Sequence, residues 1–317
     1  MKQRILGRVG VLALLILGAF AVPGRTASAA PKHLTIVYSV AALQYPFFIF
    51  QSHFIKQAAA KMGNVSVVVD DGQNSATKQT SDVEAAVASH VDGIIISPLT
   101  VSTLVPALKE AAAAHVPVVT IDRETVGVPT LAHVGADNVA VGATAARFVA
   151  NRLHGKGTVI LLTGTPGSSA ADERTTGIMQ VLSKYPNLKI AYNQTAQFDR
   201  ATAINVMEAA MSRVRKFDAV ICENDDMALG VVQAMKGKGL FGKVLITGAD
   251  AIPDALRSIA AGQETATVEQ FGDKQAFSDM QILVAYLRNH VKPKQHTTLI
   301  TPLLITKENL KQAVVKK

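Results

Sequence analysis

Residues 93–123 read GIIISPLTVSTLVPALKEAAAAHVPVVTIDR. Gly93–Ser97 and Val118–Ile121 are short β-branched runs with no polar alternation, the pattern of strands buried on both faces of a parallel sheet. Between them, Val101–His115 carries apolar residues at helical spacing, and Ser102 and Thr103 offer capping hydroxyls. Pro117 stands just ahead of the second strand, where a missing N–H is tolerated. A strand, a helix and a second strand of the same kind make one right-handed crossover unit. Asp122 and Arg123 follow the second strand at once, and open sheets of this type bind ligands outside the carboxyl ends of their strands.

The unit repeats in both directions. Upstream, strands at Leu34–Ser39 and Val65–Asp70 alternate with helices at Phe47–Met62 and Thr77–His90, the second of which Ser75 can cap. Downstream, a second series begins near Asp137. It runs through helix Asn138–Leu153, strand Thr158–Thr163, helix Ala171–Tyr185, strand Lys189–Gln194 and helix Arg200–Arg215. Strand Ala219–Cys222, helix Asp225–Lys236, strand Val244–Thr247 and helix Pro253–Ala261 complete it. A last strand, Thr265–Glu269, precedes helix Asp273–His290, which has no partner within the second series and is expected to return to the first. The fold class is therefore α/β: two doubly wound parallel-sheet lobes joined by a hinge that the chain crosses more than once. The expected lobes are residues 33–136 plus 271–300 and residues 137–270 plus 302–317.

The first 29 residues have a different character. Lys2, Arg4 and Arg8 precede a 14-residue run of apolar residues and glycine, Val9 to Val22, and Ala27-x-Ala29 fits the small-residue rule of signal peptidase. The run is shorter than the roughly 20 residues a transmembrane helix needs, so a cleaved secretory signal is expected, with the mature chain in the periplasm or outside the membrane. Removing it takes away four positive charges and no acid, which lowers the formal charge from +8 to +4. No dense basic cluster remains to suggest nucleic acid. Cys222 is the only cysteine, so neither a lipid anchor after the apolar run nor an internal disulfide is available.

The polar and aromatic residues of the strand ends form one constellation: Tyr45, Phe47, Phe48, Ser97, Asp122, Arg123, Arg174, Phe198, Asn224, Asp250 and Gln270. Asp, Asn, Gln and Arg match the paired donors and acceptors of sugar hydroxyls. Flat rings match the C–H faces of a sugar, and with no Trp in the chain that part falls to Phe and Tyr.

Five stretches carry a resemblance. Tyr45-Pro46-Phe47-Phe48, Thr120-Ile121-Asp122-Arg123, Ser169-Ala170-Ala171-Asp172-Glu173-Arg174, Gln197-Phe198-Asp199-Arg200 and Glu223-Asn224-Asp225-Asp226-Met227-Ala228-Leu229-Gly230 stand in order along the chain. Together they resemble the ribose-binding branch of the type I periplasmic sugar-binding proteins, whose fold also forms the sensor core of lactose-repressor-type regulators. The resemblance implies that Phe47 and Phe198 sandwich a sugar ring and that Phe48 lines the pocket. It implies that Asp122, Arg123 and Arg174 bind hydroxyls from opposite lobes, and that Asn224, Asp250 and Gln270 complete the polar ring. Crossings near Val134–Asp137, Gln270 and Thr301 would form the hinge. The partners it implies are a small sugar and the membrane permease of an ABC transporter, for a monomeric carrier without cofactor. A sensor presenting the loaded form to a membrane receptor or kinase is the alternative. Ala41, Tyr45, Ser97 and Ala249 depart from the ribose pattern, so the sugar is left open among pentoses, hexoses and polyols.

Other signals point elsewhere less well. Gly164-Thr165-Pro166-Gly167-Ser168-Ser169 lacks the Gly-Lys-Ser/Thr ending of a phosphate loop. The eight histidines show no paired metal-ligand spacing. A repressor would need an N-terminal helix-turn-helix where a secretion signal stands. A glycosidase needs one carboxyl with a raised pKa, whereas Asp122 and Asp250 are expected among donors that keep them ionised. No catalytic function is expected.

Overall fold

The computed structural model describes residues 32–315; the expected signal segment, residues 1–29, lies outside the described residues. The first half of the chain forms β1 (Leu34–Val40), α1 (Pro46–Met62), β2 (Val65–Asp71), α2 (Ala76–Ala88), β3 (Gly93–Ile96), α3 (Val105–Ala113), β4 (Val118–Ile121) and β5 (Ala132–Ala136). Then follow α4 (Asn138–Arg152), β6 (Lys156–Thr163), α5 (Ser169–Leu182), β7 (Asn187–Thr195), α6 (Arg200–Arg213), β8 (Ala219–Cys222) and α7 (Asp225–Met235). The chain closes with β9 (Leu245–Thr247), α8 (Pro253–Ala260), β10 (Ala266–Glu269), α9 (Gly272–Asn289), β11 (Thr297–Ile300) and β12 (Leu303–Thr306).

Two six-stranded sheets result, in the orders β11-β5-β4-β3-β1-β2 and β12-β10-β9-β8-β6-β7. All pairings are parallel except β10 with β12. The central strands are apolar on both faces because helices cover both. Ile94, Ile95 and Ile96 of β3 are fully buried, as are Ile160, Leu161 and Leu162 of β6. Each such side chain contributes about 1.5–3 kcal/mol of burial.

Among the described residues the chain passes between the sheets three times: from β5 to α4 at Asp137, from β10 to α9 at Gln270–Phe271, and from β11 to β12 at Thr301–Pro302. Asp137 caps α4 by accepting from the Ala140 amide at 2.8 Å, and its own amide donates to the Ile300 carbonyl at 3.0 Å. Two crossings are thereby bound to each other. Helix α9 packs against α1 and against β3, β4 and β5, so it covers the first sheet.

Three strands differ from the sequence pattern. β5 is a short AHVGA segment without a β-branched run, and β11 and β12 are edge strands whose residues, Ile305 apart, are partly or fully exposed. Their pairing comes from partners far away, such as Thr297 beside His133. Helix α3 starts at Val105 rather than Val101, with Leu104 at its N-cap position and Pro106 in its first turn. The expected caps also divide. Ser75 accepts from the Lys78 amide at 3.3 Å, whereas no side chain caps α3 and the Thr103 amide donates to Thr100 Oγ1.

His133 of β5 is 4% exposed, with Nδ1 3.1 Å from Thr120 Oγ1. Burial lowers its pKa to about 4. A depressed histidine contributes stability that is complete above its unfolded pKa near 6.5 and is lost as pH falls through the folded value. Between pH 7 and pH 4, His133 is expected to withdraw about 3 kcal/mol. Urea unfolding of wild type and His133→Gln at both pH values checks this. The difference between the two proteins must shrink on acidification.

Candidate functional site

The carboxyl ends of both sheets meet across a closed cleft. Tyr45 precedes α1, and Phe47 and Phe48 lie in its first turn. Asp122 and Arg123 follow β4, Phe198 follows β7, Asn224 follows β8, Asp250 follows β9 and Gln270 follows β10. Arg174 projects from α5. These ten residues, with Ala170, line one cavity holding about 300 Å³ of atom-free space. The cleft is shut by hydrogen bonds between its two sides. Tyr45 Oη donates to the Gln197 carbonyl at 3.3 Å, the Val101 amide to the Gly167 carbonyl at 2.9 Å, and the Glu124 amide to Ser169 Oγ at 2.9 Å.

The backbone is strained where these residues sit. Asp122 (φ 63°), Phe198 (φ 60°), Asp250 (φ 118°) and Phe271 (φ 56°) are non-glycine residues at positive φ. Such conformations cost on the order of 1–3 kcal/mol each and persist where the surroundings fix them. At Asp122, Phe198 and Asp250 they accompany side chains that line the cleft where strands end; Phe271 marks the β10–α9 crossing beside it.

The polar groups are held from behind. Arg174 Nε donates to Asn138 Oδ1 at 2.9 Å and its Nη1 to the Glu223 carbonyl at 2.6 Å, with Asp250 Oδ1 3.9 Å away. Gln270 Nε2 donates to Asp250 Oδ1. Arg123 Nη1 reaches the Leu99 carbonyl at 3.4 Å, its Nε lies 3.7 Å from Asp122 Oδ2, and its guanidinium lies 5.2 Å from the ring centres of both Phe48 and Phe198. Phe48 and Phe198 therefore both flank the Arg123 guanidinium. Phe47 meets Phe48 edge-on at 5.6 Å and sits beside Gly272 at the start of α9.

Ser97 does not line the cavity. It is fully buried at the end of β3 and donates to Asp122 Oδ2 at 3.4 Å, so it supports the carboxylate from below. A strand-end position gives direction but not depth, and a serine is too short to reach past Asp122. Asn224 does line the cavity, yet its amide already serves the scaffold: Oδ1 accepts from the Met227 amide at 3.0 Å and Nδ2 donates to the Phe198 carbonyl at 3.1 Å.

Burial also corrects the expected ionisation. It raises the pKa of Asp122, and it pushes Asp250 up to about 8, in both cases outweighing the opposing pull of the arginines. Charges alone favour ionised carboxylates; the loss of water opposes that at both, and at Asp250 it prevails near neutral pH.

Sequence reasoning did not find the supporting residues. Glu223 accepts from the Gly164 amide at 2.6 Å and from Thr175 Oγ1 at 2.5 Å, and burial raises its pKa to about 7. Gln79 accepts from the Leu99 amide at 2.9 Å and donates to the Ser97 carbonyl at 2.9 Å, which holds the loop after β3. The only signal for either is a polar residue whose partners lie in other segments.

Among the described residues, three buried atoms of cavity-lining side chains have no hydrogen-bond partner: Asp122 Oδ1, Arg123 Nε and Gln270 Oε1. Buried polar groups are normally paired, and an orphan costs about 1–3 kcal/mol. Two acceptors and one donor on side chains that line one cavity suit a ligand that both gives and takes hydrogen bonds.

Comparison with known proteins agrees with this architecture. A family model described as a periplasmic binding protein domain matches residues 36–290. The ribose import binding protein of Bacillus subtilis is 40% identical over 242 residues, covering 75% of this chain and 77% of that protein. A xylitol-binding protein of Mycolicibacterium smegmatis is 33% identical over 257 residues, covering 80% and 72%. The crystal structure of a Caulobacter myo-inositol binding protein bound to myo-inositol superposes with a TM-score of 0.85 at 35% identity, covering 90% of this chain and 98% of that one. With two largely parallel sheets that share a cleft and a family match over most of its length, the chain belongs to the periplasmic binding protein family and has the type I fold.

Proposed function

We propose that the protein captures one neutral monosaccharide or polyol in the cleft and delivers it to an ABC-type importer. The observation that carries this reading is the cavity lining, where Asp122, Arg123 and Gln270, each with an unpaired buried atom, share one site with Phe48 and Phe198. Once a ligand's donors favour their ionised forms, Asp122 and Asp250 can balance the guanidiniums of Arg123 and Arg174, so the loaded site suits a neutral ligand. Hydroxyls satisfy the orphans, and donors facing Asp122 and Asp250 favour their ionised forms. Phe48 and Phe198 take the C–H faces of the ring. Relatives named for ribose and xylitol, and a neighbour holding myo-inositol, support pentose, hexose and polyol as the candidates.

In this reading residues 33–136 plus 271–300 and residues 137–270 plus 302–317 move as two rigid lobes about the three crossings. The ligand contacts both and so favours the closed form by its differential contacts. A permease touching both lobes then distinguishes loaded from empty protein. The carrier is a monomer, acts by binding rather than by catalysis, and works outside the cytoplasmic membrane after removal of residues 1–29.

The test is a thermal-shift panel of pentoses, hexoses and polyols on protein freed of ligand by unfolding and refolding. A cognate ligand at a hundredfold excess over Kd adds about 2.7 kcal/mol, a shift of several degrees. Small-angle scattering must then show a smaller radius of gyration on saturation. A panel without any shift removes the sugar reading; a shift without compaction removes only the closure.

A further inference from the structure

A chain of buried amides runs behind the cleft. Tyr38 Oη of β1 donates to Gln51 Oε1 of α1 at 2.5 Å. Gln51 Nε2 donates to Gln275 Oε1 of α9 at 3.2 Å, and Gln275 Nε2 donates to the Gln270 carbonyl at 3.1 Å. Tyr38, Gln51 and Gln275 are all 0% exposed. At the far end the Gln270 side chain lines the cavity and donates to Asp250.

The polarity of this chain is forced. A backbone carbonyl only accepts, so Gln275 must turn its nitrogen to Gln270 and its oxygen to Gln51. Gln51 must then give its nitrogen to Gln275 and its oxygen to Tyr38, which has to donate. Burial, with Asp122 and Asp279 adding to it against Arg123, holds the Tyr38 pKa well above its ordinary value, so the donor proton stays in place. Because all three side chains are fully buried, breaking one link strands its neighbours. The segment the chain grips is the β10–α9 crossing, where Phe271 stands at positive φ and its amide donates to Glu269 Oε1 at 2.8 Å.

We propose that Gln51 and Gln275 are positioning residues: the chain from Tyr38 clamps the Gln270 crossing to the first sheet, so that the Gln270 amide meets Asp250 and the ligand at one fixed place when the cleft closes. Only the last step rests on the reading of the cleft as a sugar or polyol site; the clamp does not.

The test measures backbone hydrogen exchange in ligand-free protein, as protection factors over residues 270–275, and Kd for myo-inositol and D-ribose by calorimetry, at pH 5 and pH 9. Gln275→Leu should lose tenfold or more in protection over residues 270–275 at both pH values, while β6 and β8 keep theirs, and should weaken the binding probe about tenfold. Gln275→Glu should match wild type at pH 5, where a neutral carboxyl can donate to Gln270 and accept from Gln51, and fall toward Gln275→Leu as the carboxyl ionises. A glutamate that stays neutral to pH 9 and matches wild type throughout also supports the clamp, because a donor has been restored. Tyr38→Phe, which deletes one hydroxyl, should show a smaller loss in the same direction and serves if Gln275→Leu does not fold. Wild-type protection over residues 270–275 in Gln275→Leu, or in Tyr38→Phe should that protein not fold, overturns the proposal. If wild type binds neither probe, the reading of the cleft is what suffers, and the exchange data still decide the clamp.

Discussion

Replacing Arg174 by methionine is expected to weaken ligand binding by about 5-fold to about 150-fold, the equivalent of the 1–3 kcal/mol that leaving buried partners unsatisfied costs. Arg174 is 3% exposed and ties together three segments through Asn138 Oδ1, the Glu223 carbonyl and Asp250. Its guanidinium also lies 5.8 Å from the centre of the Phe198 ring. Methionine keeps much of the volume, so the lost binding reports the charge and the fork rather than a cavity. Arg174 is the leading influence that lowers the Asp250 pKa against burial. Without it Asp250 is held still more firmly neutral and loses its strength as an acceptor. Arg174→Lys should fall between the two, since an ammonium cannot serve the Asn138 and Glu223 partners in the same planar geometry. Calorimetry with the sugar identified by thermal shift reads the effect. Affinity within threefold of wild type for Arg174→Met would remove this residue from the site.

Much of this arrangement is legible in the sequence, and the limits have physical causes. Strands such as Gly93–Ile96 and Ala219–Cys222 announce themselves because a strand covered on both faces has no polar side. β5, β11 and β12 do not: β5 is a short internal strand without a β-branched run, β11 and β12 are short edge strands, and all three owe their conformation to partners that only the fold supplies. Asp122, Arg123 and Asp250 stand out because a charge directly after a buried strand has to face the cleft mouth. Ser97 stands in the same kind of position and ends up underneath, since depth depends on what its neighbours cover. The pKa of Asp250 was beyond reach for a similar reason: donors can be counted along a chain, while the water excluded by two lobes cannot. The supporting shell of Glu223, Gln79 and Gln275 is assembled from segments tens to hundreds of residues apart, and no local pattern marks it.

The second large effect is expected at the crossing of α4 and α5, where Gly177→Ala should cost about 3 kcal/mol or more. A Cβ on Gly177 would lie 2.0 Å from the Val139 carbonyl oxygen, and one on Gly142 would lie 2.0 Å from the Arg174 carbonyl oxygen. Both clashes are with backbone, which cannot rotate aside, so the helices would have to part by more than an ångström. Alanine brings a helix-propensity gain of about 1 kcal/mol over glycine, too little to offset that loss of packing. The melting temperature should fall by about 6 °C or more. Thr176→Ala, the exposed neighbour on the same helix, is the control and should leave it nearly unchanged. The two glycines also connect stability to function. Arg174 lies one turn before Gly177, and its own carbonyl is the atom that abuts Gly142. Moving α5 away from α4 moves Arg174 away from Asn138 on α4, so Gly177→Ala protein that remains folded at low temperature should bind its sugar more weakly. Melting within one degree of wild type would mean that the helices separate without penalty and that their close approach does not position Arg174.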